Sequence, residues 1–351
     1  MGSRFLKGML LAAGLGERMR PLTDDRPKPA LTVLGRRLAV QILRRFRDAG
    51  IEQAVVNLHY KPQALRDLLG DGGSGGLPEI AYSEEQPEIL GSGGGLRYAA
   101  ELLRDSDPIL IHNADFLSDI DFQQMTDEHR DRQAAATMAL IPARPGYPNI
   151  AIDQEGWVIS IGGLPEVDPA RVAGRFMFSG CHLLGADQLA RLPQGVSDIK
   201  QLYRPLAQEG RLLGYLHPGY WWEFGTPRLY LDGHLDLLHQ DESQRSRIGD
   251  HDPIRSTAGC DRVAIGAGVE LDEGVKIEGA ASLSMASRLG EDCLIRDCVV
   301  LEESWIGPEC QLERCIVAPH SELPAGYRAK DALIYSPEDS GEVVAIPLGD
   351  A

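Results

Sequence analysis

A glycine-rich turn near the N-terminus has the residue types needed to bind a phosphorylated ligand. The turn spans Leu11 to Gly16 and directly follows an apolar stretch that predicts a strand. Because it lacks bulky side chains, its backbone amides can approach a nucleotide closely. Arg18 and Lys28 follow as two cations, in a loop that prolines at positions 21, 27 and 29 restrain. The segment therefore predicts a site at which fixed cations neutralise phosphate charge.

Two common phosphate-binding motifs are absent from the sequence. The dinucleotide fingerprint G-x-G-x-x-G fails because Met19 occupies its third glycine position, and no Gly-Lys-Ser/Thr P-loop occurs. The glycine-rich turn alone is weak evidence for a nucleotide site. Arg18 and Lys28 make the prediction more specific.

Short apolar runs alternate with amphipathic stretches from the N-terminus to about residue 240. This alternation predicts a Rossmann-like α/β domain, in which helices cover both faces of a mixed, mostly parallel sheet. Ligands of such sheets bind beyond the carboxyl ends of the strands. The predicted strands are Phe5 to Ala13, Gln53 to Leu58, Ile80 to Ser83, Pro108 to His112 and Ala134 to Pro142, and the predicted helices are Ala39 to Ala49, Lys61 to Leu69, Leu96 to Leu103 and Phe122 to Arg132.

Apolar residues recur every six positions in the C-terminal third of the chain. A hexapeptide period predicts a β-helix, in which each coil turns three short strands and stacks its apolar residues inside. The phase slips by one residue before Ile306 and again before Val317, which predicts loops or coils of altered length. The inward row consists of Ile265, Leu271, Ile277, Leu283, Leu289, Ile295 and Leu301, and a second row contains Val263, Val269 and Val275.

Five of the six cysteines crowd into this region. Since Cys293 falls in the second row and Cys310 in the slipped frame, we expect most of them to be small buried side chains. A metal site at the pairs Cys293/Cys298 and Cys310/Cys315 is the alternative, although their spacing is not that of zinc motifs. The fifth cysteine is Cys260.

Composition excludes several classes of protein. The 351 residues carry a net charge of −17, which opposes binding to a nucleic-acid backbone or an anionic membrane. No apolar run approaches the roughly 18 residues of a membrane helix, and we expect a cytoplasmic protein. The expected organisation is a catalytic domain at 1–240, a linker at 241–258, the β-helix at 259–335 and a tail at 336–351.

Five segments, in order, resemble motifs of the sugar-1-phosphate nucleotidyltransferases, or NDP-sugar pyrophosphorylases. The first is the glycine-rich turn with Arg18 and Lys28, whose family pattern is L-A-A-G-x-G-x-R-x-x-P-L-T followed by P-K-P. The resemblance covers most of residues 5–240 and continues to about residue 335, where it implies a left-handed β-helix. The other segments are Glu84 and Glu85 with Leu90 to Leu96, His112 to Asp115, Phe178 to Gly180 and Trp222 to Thr226.

The resemblance implies an enzyme that joins an NTP and a sugar 1-phosphate into an NDP-sugar and releases pyrophosphate. By resemblance, Asp115 and Glu223 hold Mg²⁺, Arg18 stabilises the departing pyrophosphate and Lys28 the phosphates joined in the transition state. These expectations include a homo-oligomer. The implied nucleotide-binding residues are Leu11, Ala12, Ala13, Gly14, Gly16, Glu85, Gly91, Gly93 and Asn113, and the implied sugar-binding residues are Tyr147, Gly180 and Glu223.

Some of these residues have structural alternatives. Asp115 could cap a helix beginning near Ile120, and Glu223 could belong to the edge of an aromatic core. Tyr147 could pack on its neighbours in a turn. We expect His112 to be structural, since an already ionised phosphate needs no general base.

The chain also departs from the family pattern. Glu223 replaces the usual Asp, Ala114 stands where Gly or Ser is common, and Arg37 stands where a proline is expected. The sugar-contacting E-K-P segment is missing, and Ile161 to Pro165 occupies its place.

Four functional interpretations follow. The motif order and the hexapeptide tail favour a mannose-1-phosphate guanylyltransferase type. The run Gly93 to Gly95 and the missing E-K-P are closer to the N-acetylmuramate-1-phosphate uridylyltransferase type. A non-catalytic sugar-nucleotide-binding regulatory homologue is a third interpretation. An additional acyltransferase with His320 as its base is the fourth, but we expect the β-helix to be an assembly or packing element.

Overall fold

The computed structural model describes residues 6–257, 260–337 and 342–349, which fold into two compact units. The sheet unit comprises the residues up to Leu15 together with Ile42–Trp221. The repeat unit comprises Gly16–Gln41 together with the residues from Trp222 onward. This division differs from the expected domains, because the segment with Arg18 and Lys28 belongs to the unit that contains the C-terminal repeats.

A mixed nine-stranded sheet forms the centre of the sheet unit. Its first strand, Lys7–Leu11, pairs in parallel with Gln53–Leu58 on one side and with Ile109–Asn113 on the other. The Rossmann-like α/β prediction is confirmed, with antiparallel strands added beside Ile109–Asn113. The remaining strands of the sheet are Glu79–Glu84, Ala136–Pro142, Ile150–Ile152, Val158–Ile161, Gly174–Leu184 and Leu212–Leu216.

Most predicted helices occur within one or two residues of their expected bounds. They pack on the sheet through leucine, isoleucine and phenylalanine side chains that are almost completely buried. No helix in the described ranges is long and apolar enough to cross a lipid bilayer. The α-helices are Leu38–Asp48, Pro62–Leu69, Gly91–Tyr98, Ala100–Leu103, Phe122–Asp131, Lys200–Gln208, Pro227–His239 and Glu242–Ile248.

Parallel strands stacked in successive coils form the C-terminal part of the repeat unit, as expected for a β-helix. Val263 pairs with Ala281, three hexapeptides further along the chain, and Lys276 pairs with Leu294 at the same spacing. After a register shift in the strand Lys276–Leu283, Ala281 pairs with Cys298. The coil is here one residue shorter than three hexapeptides, and this shortening explains the phase slips. The longer strands are Cys260–Ile265, Lys276–Leu283, Leu294–Val300, Gln311–Glu313, Arg328–Lys330 and Ala332–Tyr335, and the two-residue strands are Glu270–Leu271, Arg288–Leu289, Trp305–Ile306, Ile316–Val317 and Glu322–Leu323.

One expectation about the repeat interior needs correction. Leu271 is 38% exposed, because its strand is the edge of a four-stranded sheet and nothing pairs with its outer side among the described residues. The cysteines are buried as expected, but Cys315 N donates to Cys298 Sγ at 3.4 Å, one coil away. The coil length therefore brings together cysteines that are distant in sequence. In the part of the chain that the structure describes, no cluster of three metal-binding side chains occurs, and the side chain of Cys260 lies outside that part.

The expected linker and tail contain regular structure. Residues 241–258 include the helix Glu242–Ile248, which Asp241 caps together with Gln244, and the strand Ile254–Thr257. Residues 336–351 include Val344–Pro347, which pairs in antiparallel fashion with Ala332–Tyr335. Both segments lack the hexapeptide period because they add antiparallel strands to the ends of the parallel stack.

Leu283 offers a test of the buried row, since it is 1% exposed and pairs with both Ile265 and Val300. Leu283→Asp places a charge in a dry interior, and we expect it to lower the free energy of unfolding by about 3 kcal/mol or more. Thermal and urea unfolding measure the effect. Met285→Asp, at a side chain that is 51% exposed, is the control and should change stability by less than about 0.5 kcal/mol. Equal stability of the two variants would contradict an inward-facing Leu283.

Candidate active site

The carboxyl ends of three parallel strands bring several of the expected nucleotide-binding residues to one edge of the sheet. Leu11 pairs with Asn57 on one side and with Asn113 on the other. Ala12 N donates to Asn57 Oδ1 at 2.6 Å, and Ala12 and Ala13 are buried. Gly14, further along the turn, is exposed. The strand ends thus hold this backbone in a fixed position, as a backbone-mediated nucleotide site requires.

A buried network of hydrogen bonds connects this edge of the sheet to the residues around Leu90. Glu85 is 0% exposed, and its Oε1 accepts from Asn57 Nδ2 at 2.7 Å while its Oε2 accepts from Leu90 N at 2.7 Å. The structure therefore places Glu85 inside the protein, where it connects the glycine-rich turn to residue 90. Sequence reasoning missed Asn57, although an amide at the end of an otherwise apolar strand was a usable signal.

The glycine run that follows is the start of a helix. Gly93 N donates to Ser197 O at 2.9 Å. A Cβ on Gly91 would lie 2.8 Å from Ser197 O, and one on Gly94 would lie 2.2 Å from Gly195 O. The glycines are required here because the helix Gly91–Tyr98 packs directly on neighbouring backbone. Contacts of Gly91 and Gly93 with a nucleotide stay predictions.

Asp115 occupies a two-residue turn after Ile109–Asn113, at the same edge of the sheet as Leu11. The helix that follows begins at Phe122, and its cap is Asp121, whose side chain accepts from Gln124 N at 2.9 Å. The capping alternative for Asp115 is therefore excluded. Its position suits a carboxylate directed at a ligand beyond the strand ends.

His112 is a structural residue, as the sequence predicts. It is 1% exposed and stacks on Phe116 with ring centroids 4.0 Å apart. Burial lowers the pKa of His112 to about 3, so the imidazole is neutral near pH 7.

The expected sugar-binding residues of the sheet unit lie in two places. Gly180 has φ +91°, and a Cβ on it would lie 2.8 Å from Asn113 Nδ2, so the bulged strand Gly174–Leu184 passes directly beside Asn113. Tyr147 is 39% exposed and packs edge-on against Trp221, with ring centroids 6.4 Å apart. That packing agrees with the structural alternative for Tyr147, and its sugar contact stays a prediction.

The cationic residues of the signature lie in the repeat unit. Gly16 O accepts from Thr23 Oγ1 at 2.9 Å, which closes the loop around Arg18. The Arg18 side chain is 69% exposed, and its Nη2 lies 3.6 Å from Glu223 Oε1. Lys28 is only 9% exposed and begins the short 3₁₀ helix Lys28–Ala30. The two cations thus differ in exposure. The Arg18 side chain is largely exposed to solvent beside Glu223, whereas Lys28 is almost completely buried.

Comparison with known proteins identifies the family of the chain. The family model for nucleotidyl transferases matches residues 7–240, two thirds of the chain. The chain belongs to the nucleotidyl transferase family. It is therefore a nucleotidyltransferase enzyme.

Relatives of this nucleotidyl transferase include guanylyltransferases and uridylyltransferases. The mannose-1-phosphate guanylyltransferase of Mycobacterium tuberculosis is 31% identical over 297 residues, which cover 80% of each chain. The probable mannose-1-phosphate guanylyltransferase 3 of Oryza sativa subsp. japonica is 24% identical over 355 residues, covering 91% of this chain and 97% of the relative. The N-acetylmuramate alpha-1-phosphate uridylyltransferase of Neisseria meningitidis is 34% identical over 225 residues, covering 63% of this chain and 94% of the relative.

His320, the candidate base for acyl transfer in this nucleotidyl transferase, lies at an exposed turn of the repeats. Its side chain is 60% exposed, and its Nδ1 lies 3.5 Å from Glu303 Oε2. Exposed pairs of oppositely charged side chains are common on protein surfaces and contribute little energy. The pair of His320 and Glu303 therefore gives no support to a second catalytic centre.

Proposed function

We propose that the chain transfers a guanylyl group from GTP to mannose 1-phosphate and releases pyrophosphate. The observation that supports this proposal is the extent of the alignments. A match that covers 80% of the chain cannot fit within residues 7–240, so similarity to the M. tuberculosis guanylyltransferase extends into the repeat unit. The uridylyltransferase from N. meningitidis has little sequence beyond the part that aligns. Uridylyl transfer to N-acetylmuramate 1-phosphate is the second candidate, favoured by its higher identity and by the missing E-K-P segment.

The reaction makes few chemical demands on the protein. An oxygen of the sugar phosphate attacks the α-phosphorus of the NTP in line, and pyrophosphate leaves, so that catalysis consists of positioning and charge neutralisation. Arg18 stabilises the leaving pyrophosphate, and Lys28 stabilises the phosphates that react. No general base is needed, which agrees with the neutral, buried His112.

We propose Mg²⁺ as the metal, with Asp115 and Glu223 as its protein ligands. Mg²⁺ binds one or two carboxylates and completes its shell with phosphate oxygens and water. Both side chains carry a carboxylate, the donor type that Mg²⁺ prefers, and Asp115 is only partly buried after its strand. Bound Mg²⁺ would polarise the phosphate oxygens. A homo-oligomer and a cytoplasmic location stay predictions.

Pyrophosphate release measured with four NTPs and a panel of sugar 1-phosphates tests the proposal. We expect GTP with mannose 1-phosphate to give a kcat/KM at least about 100-fold above the other pairs, because a pocket that hydrogen-bonds one base leaves polar groups unpaired with another. Preference for UTP with N-acetylmuramate 1-phosphate would establish the second candidate. Binding of sugar nucleotides without turnover of any pair would identify a regulatory homologue.

A further inference from the structure

Two arginines of the segment Gly16–Gln41 converge on one buried carboxylate, Glu302, in a turn between two strands of the repeats. The side chain of Glu302 is 7% exposed, and its Oε1 contacts both Arg26 Nη1 and Arg37 Nη1, the latter at 2.8 Å. Its Oε2 lies 3.5 Å from the Thr32 hydroxyl. Both oxygens of Glu302 are thus engaged with a segment from the opposite end of the chain.

These arginines flank Lys28 along the chain. Arg26 precedes Lys28 by two residues, and Arg37 reaches back to the turn that Lys28 begins, since its Nη1 donates to Ala30 O at 3.0 Å. The same nitrogen donates to Thr32 Oγ1 at 3.0 Å. Glu302 therefore holds both sides of the Lys28 turn through a single pair of oxygens.

The electrostatics keep this carboxylate ionised. Burial raises the pKa of Glu302, but the Arg37 and Arg26 guanidinium groups and hydrogen bonds outweigh burial, and the pKa is below its ordinary value. Buried ion clusters add little net stability compared with apolar packing. A cluster of this kind instead fixes geometry, because each charge must keep its partner.

We propose that Glu302 is a positioning residue for nucleotidyl transfer, which acts through Arg26 and Arg37 on the loop that carries Lys28. The proposal rests on the proposed function and extends it to a repeat residue outside the region that the family model matches. It also gives Arg37, which stands where the family pattern has a proline, a specific role. The repeats then contribute to catalysis as well as to packing.

The test compares Glu302→Gln with Glu303→Gln in the full-length protein. Glu303 is the next residue, and its side chain is 56% exposed and pairs with the exposed His320. For Glu302→Gln we expect faster amide hydrogen exchange within residues 16–41 and a kcat lower by on the order of 10- to 100-fold, with KM values changed less than about threefold. Glu303→Gln should match the wild type in both measurements.

Two further variants separate positioning from general destabilisation. Glu302→Asp keeps the charge and should recover part of the exchange protection and of kcat. Arg37→Gln alters only the loop side, leaves Glu302 paired with Arg26, and should give an intermediate loss. Arg37→Gln is informative even where Glu302→Gln unfolds, because it changes no side chain of the repeats.

Unchanged exchange and unchanged kcat in folded Glu302→Gln would overturn the proposal and leave the proposed function intact. Equal defects in Glu302→Asp and Glu302→Gln would also overturn it, because charge would then not matter. If the wild type turns over no tested pair of substrates, the proposed function fails. Hydrogen exchange would still show whether Glu302 orders the Lys28 loop.

Discussion

Asp115→Asn is expected to lower kcat by about a thousandfold or more, which corresponds to about 4 kcal/mol of transition-state stabilisation. The substitution keeps the size of the side chain in the turn after Ile109–Asn113. It removes the negative charge of the carboxylate that we propose as a ligand of Mg²⁺. Steady-state pyrophosphate release over a range of Mg²⁺ concentrations measures the effect. The variant should also require more Mg²⁺ for its residual activity, because one charged ligand is lost.

Asp121→Asn is the matched control for this prediction. Asp121 follows in the same segment, is exposed and caps the helix Phe122–Asp131 through Gln124 N. Asparagine is also a good cap, so stability should change by less than about 1 kcal/mol and turnover should stay normal. Normal turnover of Asp115→Asn at low Mg²⁺ would remove Asp115 from the proposed metal site.

Arg18→Ala should lower kcat/KM by an amount that corresponds to a loss of about 2 to 4 kcal/mol of transition-state stabilisation. This magnitude is typical when one hydrogen-bond donor to a developing negative charge is removed. The side chain is 69% exposed, and its Nη2 lies 3.6 Å from the carboxylate of Glu223. Because such a pair contributes about 0 to 1 kcal/mol, the melting temperature should stay almost unchanged. Kinetics and thermal unfolding of the same preparation measure both quantities.

Arg20→Ala tests whether the loss is specific to Arg18. Arg20 lies in the same loop, is 55% exposed and pairs with Asp24 at 3.4 Å, so it matches Arg18 in charge, exposure and pairing. It falls outside the fixed positions of the family pattern, and we expect near-normal kcat/KM. Similar losses in both variants would point to general electrostatic attraction of the substrates, which added salt would screen.

Local chemistry made much of the candidate site predictable. Leu11 to Gly14 and Asp115 could be recognised because backbone approach to a ligand requires small residues, and because a polar residue that ends a buried strand lies at the sheet edge. Glu85 and Gly91 were also named from the sequence, and their contacts with a nucleotide stay predictions. Their positions reflect an internal network with Asn57 and packing against Ser197, which no short motif reveals.

The sequence by itself determined the two architectures of this protein. Alternating strands and helices predicted the α/β sheet, and the hexapeptide rows predicted stacked coils, because a buried face imposes its period on the residues that cover it. The slips in the rows also indicated a change in coil length, which the structure shows where Ala281 pairs with Cys298. Each of these features is local, so neighbouring residues are enough to reveal it.

Only the tertiary structure decided which distant residues act together. It placed Gly16–Gln41 in the repeat unit and brought Cys315 N within hydrogen-bonding distance of Cys298 Sγ. It also set Glu302 between Arg26 and Arg37. In the sequence, Glu302 cannot be distinguished from its neighbour Glu303, which is an exposed residue in a turn of the repeats. The role of Glu302 depends on a partner from the other end of the chain, and that partner is fixed by how the whole chain packs, since contacts across such distances leave no periodic pattern in the sequence.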